Sequence, residues 1–453
     1  SAAAVEAFLD RCATALRPLR DADLAALREV FGDDRKDDAD DDDLRAHDVA
    51  YATRSIRERL GIDEASLKEY FPAERVVPAA VKLIGTDLLG LEVVELARDD
   101  ARVRDLLWHD DCVCYGIAMP EAQTAAQTGP PGATTGGGRG GDDDDDKSGL
   151  FGVVVLDLHS RPGKFGHQMV VPLRPRTRAS DAVACAVLGN MGDERRLLRH
   201  KEVETLLHEL GHVFHALCAG ATPKPAVCSW AWPIVPWPGG VEVDFLEVPS
   251  MFAQQFAYAP DALAKLSARR DTGDPLPADL VRVLGEQRYL LAGLQTARFL
   301  AMALYDQRLH GAASSTPEPS DSSKNGAAAA WAALWPTLYH RLVGIREPGD
   351  ERGAAADGDA PYDIGTHFAT TWYHMAIGYD SKYYSYLWSE VLAVDLYEAF
   401  QDRLDADLGV RFRDALLAPG AAQPATAMAR AFLGRDPDES AYFRRLGVQV
   451  PSQ

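Results

Sequence analysis

Apolar positions recur along this chain mainly at helical intervals, with a few short apolar runs between. Over residues 1 to 31, Val5, Phe8, Leu9, Leu16, Leu19, Leu24, Leu27 and Val30 fall at roughly helical intervals, which predicts one long amphipathic helix. A second helix is expected over 44–60. A third starts near Asp63 and ends before Phe71-Pro72, and Ala79–Leu89 reads as a fourth with Gly90 as its stop. Further helices are predicted over Met251–Ala257, Asp261–Arg270, Pro277–Gln307, Ala327–Leu342 and Leu392–Phe412. Val113–Ala118 and Phe151–Leu158 are short, largely apolar runs that read as strands. A turn at Arg161–Lys164 then joins the second strand to Phe165–Leu173 as a β-hairpin. The expected fold is mainly α, with a small antiparallel β-sheet.

Between these elements lie stretches that bury nothing. Asp33–Asp43 is an acidic run, read as a solvated loop because clustered carboxylates without glycine punctuation repel one another and make a poor cation site. Gln127–Ser148 is rich in Gly, Pro and Thr and then in Asp; Ser314–Gly326 and Pro348–Gly358 are low-complexity linkers. Pro223–Gly240 is an extended Pro- and Trp-rich loop in which Trp230, Trp232 and Trp237 serve either as substrate wall or as packing anchors.

Composition narrows the function. A chain of 453 residues, 47% of them hydrophobic, can bury a large core. Its net charge of -21 repels phosphates and argues against nucleic acid as a partner. No apolar run approaches the roughly 18 residues that span a bilayer, and no cleavable signal stands at the start, so no membrane partner is expected. Six irregularly spaced cysteines suggest reduced thiols and an intracellular protein, cytoplasmic or organellar. Cys112 and Cys114 share one strand face and make poor disulfide partners.

The chemistry concentrates at Leu206-Leu207-His208-Glu209-Leu210-Gly211-His212-Val213-Phe214, which contains His-Glu-x-x-His. On a helix, residues four apart share a face, so His208 and His212 aim two imidazoles at one point while Glu209 stands one step round. The apolar flanks predict a buried helix, and burying His, Glu and His without a partner is costly unless a metal relieves it. Two neutral imidazoles suit zinc, and a neighbouring carboxylate can act as its general base. One class of such sites takes a third His six residues after the second, with Gly midway. Here His215 occupies the Gly place and Cys218 the His place, so that class is disfavoured. Cys218 reads as a small buried apolar residue. The better third ligand is Glu247, which opens a predicted helix in Val243-Asp244-Phe245-Leu246-Glu247-Val248-Pro249-Ser250 and leaves a fourth position open.

Glu204–His215 followed by Asp244–Ser250 closely resembles the thimet oligopeptidase and neurolysin family of zinc oligopeptidases. A second, distant signature agrees: His374-Met375-Ala376-Ile377-Gly378-Tyr379-Asp380-Ser381-Lys382-Tyr383-Tyr384-Ser385-Tyr386-Leu387-Trp388-Ser389-Glu390. Tyr70–Pro72, Leu88–Leu91, Trp108–Asp111, Phe412–Pro419 and Met428–Pro437 are similar to the same family, so the likeness covers nearly the whole chain. It implies a zincin-like multi-helix catalytic domain with one Zn2+ per chain, and short peptides as substrates.

Under that resemblance, zinc is held by His208, His212 and Glu247, with Glu209 as general base. His374 and Tyr386 hold the oxyanion or the substrate carbonyl, and Tyr379 and Tyr383 orient the peptide around Gly378. Tyr384 reads as core. Glu204 and Asp244 are candidates to orient the imidazoles. Zincin-like enzymes commonly bind extended substrate along an edge strand, where Gly166 and His167 are placed. Many family members have Gly-Gly where this chain has Ile377-Gly378, so a stiffer loop is expected.

Residues 1–120 are expected to form a helical region, 121–148 a flexible Gly/Asp-rich loop, and 149–453 the catalytic region, continuous with 1–120. The family carries a further helical segment upstream, so a missing N-terminal segment or a second chain is an expected partner. Alternative functions are a processing peptidase of the mitochondrial intermediate peptidase type and an inactive zinc-containing peptide binder.

Overall fold

The computed structural model describes residues 1–31, 44–61, 63–120, 149–174, 182–191, 196–221, 240–311, 324–345, 368–376 and 378–449. Asp33–Asp43, 121–148, the three loop tryptophans, Ser314–Ser323, Pro348–Gly358 and Ile377 lie outside the described residues. Helix is the main element, with one five-stranded sheet. Two compact units interleave in sequence. The first comprises Ser1–Asp63, Arg282–Trp388 and Glu439–Gln453; the second comprises Glu64–Val281 and Ser389–Asp438.

In the first unit the predicted N-terminal helix runs over Ala2–Phe31 and buries Phe8, Leu9, Cys12, Leu16, Leu24 and Leu27, the face that the spacing marks out. It packs on the helix Ala292–His310, which in turn packs on Lys324–Val343. The first crossing is tight: a Cβ on Gly293 would lie 2.4 Å from the backbone nitrogen of Arg20, so only glycine fits there. Asp23 accepts the Leu294 amide at 2.9 Å and satisfies one of the helix's open N–H groups. The helix predicted over Pro277–Gln307 is in fact two, Ala278–Gln287 and Ala292–His310. The break comes at buried Leu291, whose φ of 56° is left-handed. The left-handed residue is itself neither Gly nor Asn, so tertiary packing imposes the break there.

The second unit is built on strands β1 (Glu92–Leu96), β2 (Val113–Ala118), β3 (Leu150–Asp157), β4 (Met169–Arg174) and β5 (Val183–Leu188), in the spatial order β1-β2-β3-β5-β4. Two expectations need correcting. Residues 1–120 are not helical throughout, since they supply β1 and β2. The sheet is mixed, because β3 and β5 run parallel, and β3 and β4 form no hairpin. The physical reason is β5 itself. Val183-Ala184-Cys185-Ala186-Val187-Leu188 is an unbroken apolar run, suited to a strand buried on both faces, and it displaces β4 to the edge.

One face of the sheet encloses Leu96, Val103, Cys112, Cys114, Val153, Val155, Ala184 and Ala186. Against the other packs the helix His200–Ala221, where glycine at 152 lets Leu217 approach: a Cβ there would lie 3.0 Å from its side chain. At the end of β3, buried Asp157 accepts from Arg161 Nη1 and Nη2 at 2.7 Å each, Lys164 Nζ at 2.8 Å and Trp108 Nε1 at 2.9 Å. Burial alone would raise its carboxyl, but these donors overcome that and hold it well below the usual carboxylate range. The turn predicted after β3 is thereby pinned.

The helix expected to run through Leu392–Phe412 instead ends at Glu398 and restarts as Ala406–Phe412, capped by Asp405 on the Leu408 amide; Gln401 and Asp402 between them have positive φ. Cys12, Cys112, Cys114, Cys185 and Cys218 are free and buried. Among the described residues no helix is long and apolar enough to cross a membrane.

Candidate metal centre

The helix His200–Ala221 sets His208 and His212 one turn apart, with ring centroids 5.0 Å from each other and planes nearly perpendicular. A short 3-10 turn, Val243–Phe245, then feeds the helix Val248–Ala253, for which Glu247 is the N-cap and Pro249 lies in the first turn, a position that tolerates its missing N–H. The two helices meet backbone to backbone at Gly211. A Cβ there would stand 2.4 Å from the Pro249 carbonyl oxygen and 2.6 Å from Ser250 Cα. The second variable residue of His-Glu-x-x-His is therefore small because Glu247 arrives on the chain that crosses it.

Glu247 Oε2 lies 3.3 Å from His208 Nε2 and 3.1 Å from His212 Nε2. Ser250 Oγ donates to the same carboxylate oxygen at 2.9 Å and to the Glu247 carbonyl at 2.8 Å, which fixes the side chain over its own backbone. His208 Nδ1 donates to Gln254 Oε1 at 3.0 Å, which fixes the ring with Nε2 towards Glu247. Donor atoms of His208, His212 and Glu247 all lie within 4.8 Å of one another. Burial would depress His208, yet Glu247, with help from Glu209 and Gln254, raises it to about 9. The two imidazoles hold Glu247 well below the carboxylate range against its own burial. A buried place that draws a proton this strongly is one that suits a divalent cation, and two nitrogens with one oxygen are a donor set that zinc accepts.

Glu209 is buried beside the triad, and burial raises its carboxyl above the ordinary value against the pull of the two imidazoles. His215 is buried on the same helix, edge-on to Phe245 at 5.9 Å, and burial lowers it to about 3, so it is a neutral packing residue. Burial pushes the Cys218 thiol up to about 12, and its sulfur is not among the donor atoms that converge with His208, His212 and Glu247.

Two predicted placements change. Glu204 does not orient an imidazole; its carboxylate meets Lys201 Nζ at 3.0 Å and Tyr258 Oη at 3.1 Å. Gly166 and His167 lie in the bend before β4, not on a strand, because pairing with β5 starts only at Met169. The residue missed is Gln254. Its signal was present, since it follows Glu247 by seven residues, two helical turns on, and so returns to the same side.

The second predicted group belongs to the first unit. His374 sits in a 3-10 turn, Tyr373–Ala376, and its ring lies 5.6, 5.2 and 6.0 Å from those of Tyr379, Tyr383 and Tyr386. Tyr379 and Tyr386 stack at 5.2 Å, and Tyr383 stacks on Phe299 at 4.9 Å. The four predicted rings thus form one cluster, while Tyr384 is half-buried. Gly378, with φ of 97°, makes the turn between His374 and Tyr379.

Fold and site together define a mainly helical protein with a buried two-histidine, one-carboxylate centre of the metal-binding kind. Residues 142–448, more than half of the chain, match peptidase family M3, and the chain belongs to that family. It is 26% identical to saccharolysin of Saccharomyces cerevisiae, over 98% of this chain and 56% of that protein. Identity to the thimet-like oligopeptidase of Dictyostelium discoideum is 27%, over 90% of this chain and 53% of that one. Oligopeptidase A of Escherichia coli is 26% identical over 98% and 56%. The chain thus spans about half the length of these relatives.

Proposed function

We propose that the protein is a zinc-dependent endopeptidase that hydrolyses short peptides. The observation that carries this reading is the convergence of His208, His212 and Glu247 donor atoms beside the buried carboxylate of Glu209. Membership of peptidase family M3 supports it. A zinc ion held by those three residues would act as a Lewis acid, polarising water and the scissile carbonyl. Glu209, its carboxyl raised by burial, takes a proton from the attacking water and passes it to the leaving amine nitrogen. Gln254 and Ser250 keep His208 and Glu247 in place. The substrate main chain pairs with the outer edge of β4, the strand at the end of the sheet on which the metal-binding helix packs. His374 and Tyr386 donate to the substrate carbonyl oxygen, and Tyr379 and Tyr383 orient the peptide; the clustering of these rings supports those roles.

The test is hydrolysis of quenched short peptides before and after chelation, with zinc then restored. Activity should vanish and return. Glu209→Gln should bind zinc normally and lose about 10²–10⁴-fold in kcat. Normal turnover by zinc-loaded Glu209→Gln, or hydrolysis indifferent to chelation, contradicts the reading.

A further inference from the structure

The helix Ala292–His310 carries a carboxylate that none of the chemistry above uses. Asp306 is fully buried, on a helix that also buries Leu300, Ala301, Ala303 and Leu304. Its Oδ1 accepts the Ser381 amide at 2.8 Å and meets His310 Nδ1 at 2.8 Å, while Oδ2 accepts the Tyr383 amide at 2.9 Å. The next residue, Gln307, donates from Nε2 to the Ser381 carbonyl at 2.8 Å. Two successive side chains of one helix therefore hold the peptide units on both sides of Ser381.

Ser381 has φ of 63°. A left-handed residue turns nearby amides to one side and makes a concave site for an anion. Here the anion is supplied by the helix itself. The same helix also fixes the side chain of Tyr383: Phe299 and Met302, seven and four residues before Asp306 and so close to its face, stack on the ring at 4.9 Å and receive the hydroxyl at 3.8 Å. Backbone and ring of Tyr383 are thus held from one rigid surface. Burial raises the Asp306 carboxyl above its ordinary value, against the opposing pull of the two amides and His310. Apolar contacts alone would hold a loop without the penalty of burying a charge, and would leave its register free to slide.

We propose that Asp306 is the positioning residue of the tyrosine loop: through the amides of Ser381 and Tyr383 it sets where Tyr379, Tyr383 and Tyr386 present themselves to a peptide. The inference rests on the reading that this ring set acts on substrate. Asparagine keeps the volume but has one accepting atom where aspartate has two, so one buried amide would face an N–H. The experiment compares zinc-loaded full-length wild type, Asp306→Asn, Tyr386→Phe and the double variant on a quenched peptide, with bound zinc measured for each. Asp306→Asn should keep wild-type zinc stoichiometry and lose at least about tenfold in kcat per zinc-loaded molecule, with a smaller change in KM. The double variant should fall no more than about threefold below Tyr386→Phe, because a displaced loop no longer profits from the hydroxyl.

Should Asp306→Asn not fold, Gln307→Leu removes only the carbonyl contact and should give a milder loss with the same non-additivity. Turnover by Asp306→Asn, or by Gln307→Leu in its place, within about twofold of wild type overturns the proposal, as do losses that multiply in the double variant. If Tyr386→Phe alone keeps full activity, the role given to Tyr386 fails, and the turnover of Asp306→Asn then decides the positioning of the loop by itself.

Discussion

The candidate metal ligands come from two helical segments whose backbones touch, whereas the ring cluster at His374–Tyr386 comes from a 3-10 turn, a turn with Gly378 and Ser381 at positive φ, and the first residues of the helix Ser385–Glu398. In the first region the helix itself aims the side chains. His208 and His212 need only their spacing, and Gly211 admits the strand of chain that brings Glu247. In the second, the residues between Gly378 and Tyr383 have no helical repeat to set their directions, and a carboxylate and an amide from a helix some 75 residues earlier do so through backbone hydrogen bonds. A site built on regular structure is robust to its surroundings. A site built on a turn is only as well defined as whatever clamps it.

Substitutions can break that contrast. Of the substitutions that separate the two regions, Tyr386→Phe should have the largest effect, lowering kcat by about 10²-fold if its hydroxyl stabilises a developing oxyanion, with bound zinc unchanged. Steady-state kinetics with parallel metal analysis checks both halves. Gly211→Ala should do the reverse, weakening zinc by roughly 10–100-fold and lowering stability by about 1–3 kcal/mol, because the added methyl meets backbone atoms that cannot swing aside. The sign is informative, since Gly→Ala inside a helix ordinarily stabilises by up to about 1 kcal/mol. Competition with a zinc chelator and chemical denaturation would measure the two effects. Gln254→Leu should be milder, about tenfold in zinc affinity, with the slope of kcat against pH unaltered.

How much could be read from residues alone follows the same division. His208, Glu209 and His212 were legible because helical periodicity converts spacing into direction. Glu247 was legible from the helix start that Pro249 marks. Gln254 lies within reach of the same reasoning, two helical turns after Glu247, but as a partner of His208 and not a metal ligand it carries no metal-site pattern of its own. The β-sheet was misread where tertiary structure overrides neighbours: Phe151–Leu158 and the segment after it look like a hairpin, and only the uniformly apolar Val183–Leu188 hints that another strand lies between them. Asp306 was invisible. Its i,i+4 neighbour His310 is legible as a helix-face pair, but its partners in the loop are backbone amides, which every sequence has, and its effect depends on a left-handed serine that no local pattern announces.

The two buried aspartates sharpen the contrast with the smallest expected effect. Asp157 meets two cations and an indole N–H and is held low; Asp306 meets amides and a histidine and is held high. For Asp157 the unfolded chain binds more protons as pH falls below about 4, so its contribution is complete above that pH and is lost as pH drops towards the folded value. For Asp306 the folded state binds the proton more readily, so its contribution is present below about 4 and lost as pH rises through the elevated folded value. Denaturation curves between pH 3 and 7 should show Asp157→Asn flattening the acid limb and Asp306→Asn flattening the opposite slope. Identical pH profiles for the two variants would remove the distinction.

The central claim is that His208, His212 and Glu247 share one metal ion. Crystals of zinc-loaded protein, with diffraction recorded on both sides of the zinc absorption edge, test it most directly. The account predicts one anomalous peak about 2.0–2.2 Å from both Nε2 atoms and from a Glu247 carboxylate oxygen, with Glu209 beside it and not bound to it. No peak between the two imidazoles, or a peak there with Glu247 turned away, would contradict it.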